Sequence, residues 1–247
     1  MYLYAYAPFL RQKKYARDLA LIEGRITDFG IGGKVTQLSQ FLKFPSALKE
    51  FGMKRLTTLV LVGDDMLLDE AVNYVALSNV VIGYIPIGES VFGEALSIPQ
   101  GAEAVQTLAA RKIERIDLGR VENRLFLGTL RVEGSGLELH SMAFSLFPKG
   151  LAVLEIVNLR QGFDAADGAL DVILTPVEGV LRKKPKTSTH IRVNSCRLKA
   201  ASPLAIRVGA HGLIKTPFQI DIAPKAIRII GGRTISGSRS KQALRKK

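Results

Sequence analysis

The rhythm of polar and apolar positions changes once along the chain, near residues 118–123. Before that point strand and helix patterns alternate. Tyr2 to Ala7 alternates larger and small residues at strand period. From Gln12 to Phe29, the apolar residues Tyr15, Leu19, Ile22 and Ile26 recur on one helical face, and Gly30, Gly32 and Gly33 end the helix. Lys34 to Leu38 reads as a short strand. Pro45 to Phe51 reads as a short helix entered through proline and left at Gly52. The β-branched run Thr57 to Val62 then stops at Gly63-Asp64-Asp65, and an amphipathic helix follows from about Leu67 to Leu77. Asn79 turns the chain into Val80 to Ile85, almost wholly apolar, as a buried parallel strand requires. Glu89 to Leu96 and Ala102 to Ala110 read as further helices. This order predicts a Rossmann-like, three-layer α/β domain with a parallel sheet. Ligands of such sheets bind outside the carboxyl ends of the strands, where Gly63-Asp64-Asp65 falls.

After Ile116-Asp117-Leu118-Gly119 the helical period disappears. Short strands recur at Arg124 to Val132, Leu137 to Ser145, Gly150 to Val157, Ala169 to Pro176, His190 to Leu198, Leu204 to Val208, Phe218 to Ile222 and Ala226 to Ile230, with Gly and Pro between them. That pattern predicts an antiparallel β-sandwich. The reading is therefore α/β followed by all-β: an α/β domain over 1–119, a β-sandwich over 120–231, and a basic, disordered tail over 232–247.

Composition narrows the functional classes. The 247 residues are 47% hydrophobic, enough for one large core or two small ones. No apolar run approaches the ~20 residues of a membrane span, and the N-terminus lacks the basic region of a signal peptide. With one cysteine, Cys196, in an alternating strand pattern, neither a disulfide framework nor a cysteine metal cluster is expected, and the expected compartment is the cytoplasm. The net charge of +13 is uneven. From Pro176 to Lys247 there are 17 Lys or Arg against Glu178 and Asp221, whereas the rest of the chain carries a slight negative excess. Such a distribution fits an anionic partner or a well-solvated face. For Arg182-Lys183-Lys184, at an expected hairpin tip, both readings stand.

The order of local motifs resembles the diacylglycerol kinase catalytic family, which includes bacterial lipid kinases and sphingosine kinases and is distantly related to NAD kinases. The family's Gly-Gly-Asp-Gly-Thr reads Val62-Gly63-Asp64-Asp65-Met66. Its Pro-Leu-Gly-Thr reads Pro86-Ile87-Gly88-Glu89, and its Leu-Gly-Ile-Pro reads Leu96-Ser97-Ile98-Pro99. Ile116-Asp117-Leu118-Gly119 and the Asp-Gly-x-Leu-Asp-Val strand at Asp167 to Val172 are intact. The resemblance spans about Met1 to Ile230. It implies ATP and Mg²⁺ as cofactors, phosphoryl transfer to a lipid or other hydroxyl acceptor, and a nucleotide site at Gly63, Asp64, Asp65, Gly88, Glu89, Asp69 and Glu70, with Asp64 as a metal ligand. The family's acidic position after the glycine turn matches Asp69 directly or Glu70 with one inserted residue, and both alignments stay open.

The departures from the family concern charge. Glycine loops bind phosphate because backbone N–H groups approach it closely. Here Val62, Asp65, Met66 and Glu89 replace two glycines and two threonines, and Ala7-Pro8 replaces Asn-Pro. Two unit charges 4 Å apart interact by about 4 kcal/mol at an effective dielectric of 20, so these carboxylates repel a polyphosphate unless Mg²⁺ intervenes. Asp65 stands either as such a carboxylate or as the N-cap of the following helix, with Asp69 and Glu70 favouring the dipole in its first turn. The family's catalytic Asp-Gly-Glu aligns with His211-Gly212-Leu213. Leu213 accepts no proton, and His211 is either a base or a turn histidine without a role.

Three functions follow. One is a lipid kinase reaching an anionic membrane surface through its basic C-terminal third. The second is a catalytically impaired pseudo-kinase acting as a ligand-binding or regulatory scaffold. The third is an RNA or other anionic-polymer binder using Arg182-Lys183-Lys184, Lys241, Arg245, Lys246 and Lys247, against which stands the scarcity of aromatics in those segments. A homodimer through an exposed sandwich edge is a further expectation.

Overall fold

The computed structural model describes residues 1–39, 43–177, 188–209 and 212–232. His211, Arg182-Lys183-Lys184 and the tail residues Lys241, Arg245, Lys246 and Lys247 lie outside the described residues. Sixteen strands and five α-helices run in chain order among the described residues. The described residues divide into two compact units: Met1–Ile116 together with 226–232, and Asp117–Lys225.

In the first unit the strands are β1 (Tyr2–Tyr6), β2 (Lys34–Gln37), β3 (Thr58–Gly63) and β4 (Val81–Pro86), joined by the carboxyl-terminal part of β16 (Phe218–Ile230). Their order is β2-β1-β3-β4-β16, and every pairing in this series is parallel. Each residue of β3 and β4 is buried, which explains their continuous apolar sequences: a parallel strand covered on both faces has no solvent side. Gly83 interrupts β4 for packing. A Cβ there would lie 2.5 Å from Cδ1 of Leu108, so glycine lets the helix α5 (Ala104–Ala110) approach the sheet. The helix α1 (Ala16–Asp28) packs with α5, and α2 (Phe44–Phe51) with α3 (Asp65–Val75). The fifth helix, α4 (Val91–Ala95), follows β4.

Several boundaries differ from the sequence expectation. The segment from Pro8 to Tyr15 forms two 3-10 turns, and α1 begins only at Ala16. The helix after β3 begins at Asp65 and not at Leu67, and the one after β4 at Val91 and not at Glu89.

The second unit is all-β. One layer is the sheet β12 (Thr189–Val193), β11 (Leu170–Pro176), β10 (Leu151–Val157) and β7 (Thr129–Ser135), antiparallel throughout. The amino-terminal part of β16 pairs with β13 (Ser195–Ala200), which pairs with β8 (Leu137–His140) and through it with β9 (Ser145–Leu146). Leu130, Leu154, Ile156, Val172, Leu198 and Ile220 belong to the buried core of this unit.

Three strand readings are corrected here. Arg124 to Val132 is interrupted, with β6 (Arg124–Phe126) ending before β7. His190 to Leu198 breaks at Asn194 into β12 and β13, which belong to different sheets. The separate runs Phe218 to Ile222 and Ala226 to Ile230 form one strand, β16. Cys196 is a buried strand thiol, as its alternating neighbours indicate, and burial pushes its pKa up to about 12.

Candidate functional site

Local sequence aims two loops at the carboxyl edge of the parallel sheet. The run Thr58–Gly63 must stop at Gly63, where a Cβ would lie 2.7 Å from that of Ala7. Asp64 leaves the strand with extended dihedrals, and its Oδ1 accepts a hydrogen bond from the Leu67 N–H at 3.1 Å. Asp64 is therefore the N-cap of α3. This corrects the assignment of the cap to Asp65, which is the first helical residue. The cap takes extended dihedrals, so the helix starts one residue later, and the geometry selects the first carboxylate.

Asp65 turns across to the neighbouring loop. The strand β4 ends at Pro86, and Gly88 reverses the chain at φ +88°, a left-handed conformation that favours glycine. Ser90 then caps α4, its Oγ accepting from the Gly93 N–H at 2.7 Å. On Asp65, Oδ1 accepts hydrogen bonds from the hydroxyls of Ser90 and Tyr84, the latter at 3.0 Å. Its Oδ2 accepts from the backbone N–H groups of Val91 at 2.8 Å and Phe92 at 3.4 Å. Tyr84 is 2% exposed and Ser90 5%. Burial first, and the adjacent Asp65 charge among the lesser causes, raise the pKa of the Tyr84 phenol above its usual value. The phenol stays a donor.

Asp64 thus caps α3, and Asp65 joins Ser90 in holding the first N–H groups of α4. Asp64 thereby engages the Leu67 N–H at the start of α3, and Asp65 and Ser90 engage the Val91, Phe92 and Gly93 N–H groups at the start of α4. A carboxylate offers about four acceptor directions, and four donors point at Asp65, leaving no direction for a hard cation. Asp64 would need phosphate oxygens to complete a Mg²⁺ shell. No group of three or more His, Cys, Asp or Glu placed to hold a metal occurs among the described residues.

The remaining anticipated residues separate. Glu89 is exposed beside Gly88. Asp69 is 6% exposed and Glu70 half-buried, and both lie beyond the first turn of α3, which corrects their placement at the dipole. Gly88 borders a cavity of about 200 Å³ with Asp18 and Leu21 of α1, Ile87, and Gln100 to Ala102. Leu213, in the place of the family's second catalytic acid, is 61% exposed.

Tyr84 and Ser90 were missed by sequence reasoning. Tyr84 is one large residue in an apolar strand, and Ser90 falls inside the segment read as helix. The one available signal was Ser90-Val91-Phe92-Gly93, a serine three residues before an apolar helix position.

The two intact family motifs meet in the second unit. Asp117, 1% exposed, accepts from the Gly168 N–H at 2.7 Å and the Lys225 N–H at 2.6 Å. Asn158 donates to the carbonyls of Asp117 and Leu127. These residues hold loops together by backbone hydrogen bonds and carry structure.

No family model and no curated protein sequence matches the chain. Solved structures do. The crystal structure of a diacylglycerol kinase from Bacillus anthracis str. Sterne aligns with a TM-score of 0.78 at 15% identity, covering 93% of this chain and 96% of that one. Two further structures from the same strain, provisionally assigned as diacylglycerol kinases, align with TM-scores of 0.76 and 0.78 at 14% and 13% identity. Each covers 93% of this chain, and 96% and 97% of their own. The fold is therefore the two-domain, diacylglycerol kinase-like one. No described helix is long and apolar enough to cross a membrane.

Proposed function

We propose that this chain is a diacylglycerol kinase-like protein that has lost phosphoryl transfer and serves as a ligand-binding or regulatory scaffold. The observation that carries this reading is the Asp65 carboxylate, seated on the Val91 N–H and the Ser90 and Tyr84 hydroxyls. An internal anion there has three effects. It satisfies donors that phosphate binding needs, repels incoming phosphate, and leaves Mg²⁺ no oxygen on Asp65. Phosphoryl transfer consists largely of positioning and charge neutralisation. A site that adds carboxylate side chains where the family has glycines and threonine hydroxyls works against both. Leu213, in place of a catalytic acid, removes proton transfer at that position. The cavity beside Gly88 is the natural ligand site of the scaffold.

The test is transfer of labelled phosphate from ATP and Mg²⁺ to diacylglycerol in mixed micelles, with an active lipid kinase run in parallel. This reading expects no product above the protein-free control. Product formed by the wild type and abolished in Asp64→Ala would establish the kinase reading in its place.

A further inference from the structure

We infer that the outer face of the β8–β9 hairpin carries a second site, a Ser145–His140–Glu138 triad that hydrolyses esters of short aliphatic acids. The strand pattern builds it. Along β8, Leu137 and Leu139 turn into the core of the second unit, so Glu138 and His140 share the opposite face. On β9, Ser145 lies directly across from His140. On β13, Cys196 and Leu198 turn into the core, and Arg197 lies across from His140 and Lys199 across from Glu138. Side chains with acid, base, nucleophile and cation character therefore gather on one patch of sheet, wholly within the second unit.

The hydrogen bonds give the patch a direction. Oε2 of Glu138 is 3.0 Å from Nε2 of His140, and Oγ of Ser145 is 3.0 Å from Nδ1. A carboxylate only accepts, so in the neutral imidazole the proton sits on Nε2 and donates to Glu138. The lone pair on Nδ1 then faces the serine hydroxyl, which donates to it. A hydroxyl within reach of a base, with the base oriented by a third group, is the arrangement of an activated nucleophile. The two ring nitrogens exchange the places they hold in the serine protease template, but such a triad is defined by roles and geometry. The Phe147 ring meets the imidazole edge-on at 5.5 Å and helps to hold its plane. Arg197 is exposed and forms no ion pair among the described residues, so its guanidinium is available to the charge that develops on a carbonyl oxygen over Ser145. Side chains directly opposed on antiparallel strands have Cβ atoms about 5 Å apart, within the reach of an arginine.

The ligand class follows from the neighbouring space. Residues 141–144 join β8 to β9, and with residues 192–195 they line a cleft of about 310 Å³. The loop starts at His140 and ends at Ser145, so the cleft adjoins that pair. Met142, Ala143 and Phe144 make its loop wall apolar, which suits a short acyl chain. In the reaction Ser145 Oγ bonds to the acyl carbon as His140 Nδ1 takes its proton. The bond from that carbon to the alcohol oxygen breaks, and the alcohol leaves with the proton. Water, deprotonated in turn by His140, releases the carboxylic acid and restores Ser145. The site shares no residue with the one at the edge of the parallel sheet, and it holds whether or not the chain binds a nucleotide.

The test joins hydrolysis of p-nitrophenyl acetate and butyrate by the full chain to fluorophosphonate labelling with peptide mapping. The expected result is a fluorophosphonate adduct on Ser145 and a burst of nitrophenol before the steady state. Ser145→Ala and His140→Ala should each lower kcat/KM by about a hundredfold or more, the usual weight of a positioned base. Arg197→Ala should lower kcat by about a hundredfold, as loss of one oxyanion donor does. Glu138→Gln, which disturbs positioning and not contact with the ester, should lower kcat and leave KM unchanged. Met142→Glu should raise KM for the butyrate more than for the acetate. Ser145 and Met142 are exposed, so their variants should melt with the wild type. His190→Ala, which removes a histidine outside the triad, should keep full activity. Hydrolysis retained in Ser145→Ala, no adduct on Ser145, or an equal loss in His190→Ala would overturn the inference.

Discussion

The Asp65 carboxylate accepts a 2.8 Å hydrogen bond from the backbone N–H of Val91, 26 residues later in the chain. This contact ties the start of α3 to the start of α4 and places a negative charge at the carboxyl edge of the parallel sheet. Energetically it belongs to the stronger class, a charge-assisted bond with buried hydroxyl donors beside it.

Replacing Asp65 with Ala leaves the buried Ser90 and Tyr84 hydroxyls short of an acceptor. We expect a loss of about 2 kcal/mol in urea unfolding, and about 1 kcal/mol for Ser90→Ala. The double variant should lose clearly less than the sum, because the two residues share one network. Strict additivity would show that the network carries no coupling.

Asp117→Ala should be among the most damaging changes in the second unit. It removes the acceptor of the Gly168 and Lys225 N–H groups, whose hydrogen bonds are partly buried. Two donors left short of an acceptor, at about 1 kcal/mol or more each, predict a loss of about 2 kcal/mol or more. Asp117→Asn, which keeps one carbonyl oxygen, should recover part of it. Equal stability of the two variants in chemical denaturation would contradict the assignment.

The geometry at Gly119 admits no side chain. A Cβ there would lie 2.0 Å from Cζ of Phe126, a ring that is 1% exposed. Gly119→Ala should cost about 2–3 kcal/mol through overpacking, and Phe126→Leu in the same chain should relieve part of the cost. A thermal melt of the three variants decides the point.

Alkaline pH should weaken the fold in a defined order. Folding raises the Cys196 pKa from 9.0 to about 12. Below pH 9 both states hold the proton and pH has no effect through this group. As pH rises from about 9 towards 12 the unfolded thiol ionises, the folded one does not, and stability falls. Tyr4, Tyr6 and Tyr84 are likewise raised from 10.0, so their contribution begins one unit higher. Cys196→Ala should remove the slope between pH 9 and 10 specifically. At pH 8 the native thiol should react with a disulfide reagent no faster than the protein opens. Rapid native labelling would place Cys196 at the surface.

The parts of this fold that local chemistry determines were legible in the chain. Thr58–Gly63 and Val81–Pro86 could be read as buried parallel strands because both faces are covered and their sequences are almost wholly apolar. The helical face of Ile22 and Ile26 is likewise a local periodicity. What escaped depends on partners distant in sequence. The strand β16 runs through Ala223-Pro224-Lys225, a stretch that reads as a break. Lys225 has φ +51°, and its N–H is held by Asp117, 108 residues earlier. Asn194 divides two strands that look continuous because it changes sheet and not rhythm. At the candidate site Asp64 and Asp65 were found, but their roles were not separable. Which of two adjacent carboxylates caps α3 depends on dihedral angles, and where the other points depends on Tyr84 and Ser90 on the neighbouring loop.

The most direct test of the central claim is calorimetric titration of ATP, with and without Mg²⁺, into the wild type and into Asp65→Gly. If Asp65 fills the place of a phosphate, the wild type shows no heat of binding at millimolar ATP, and Asp65→Gly, which frees the Val91 N–H and removes the charge, gains measurable affinity. Micromolar, Mg²⁺-dependent binding to the wild type that Asp65→Gly leaves unchanged would contradict the account.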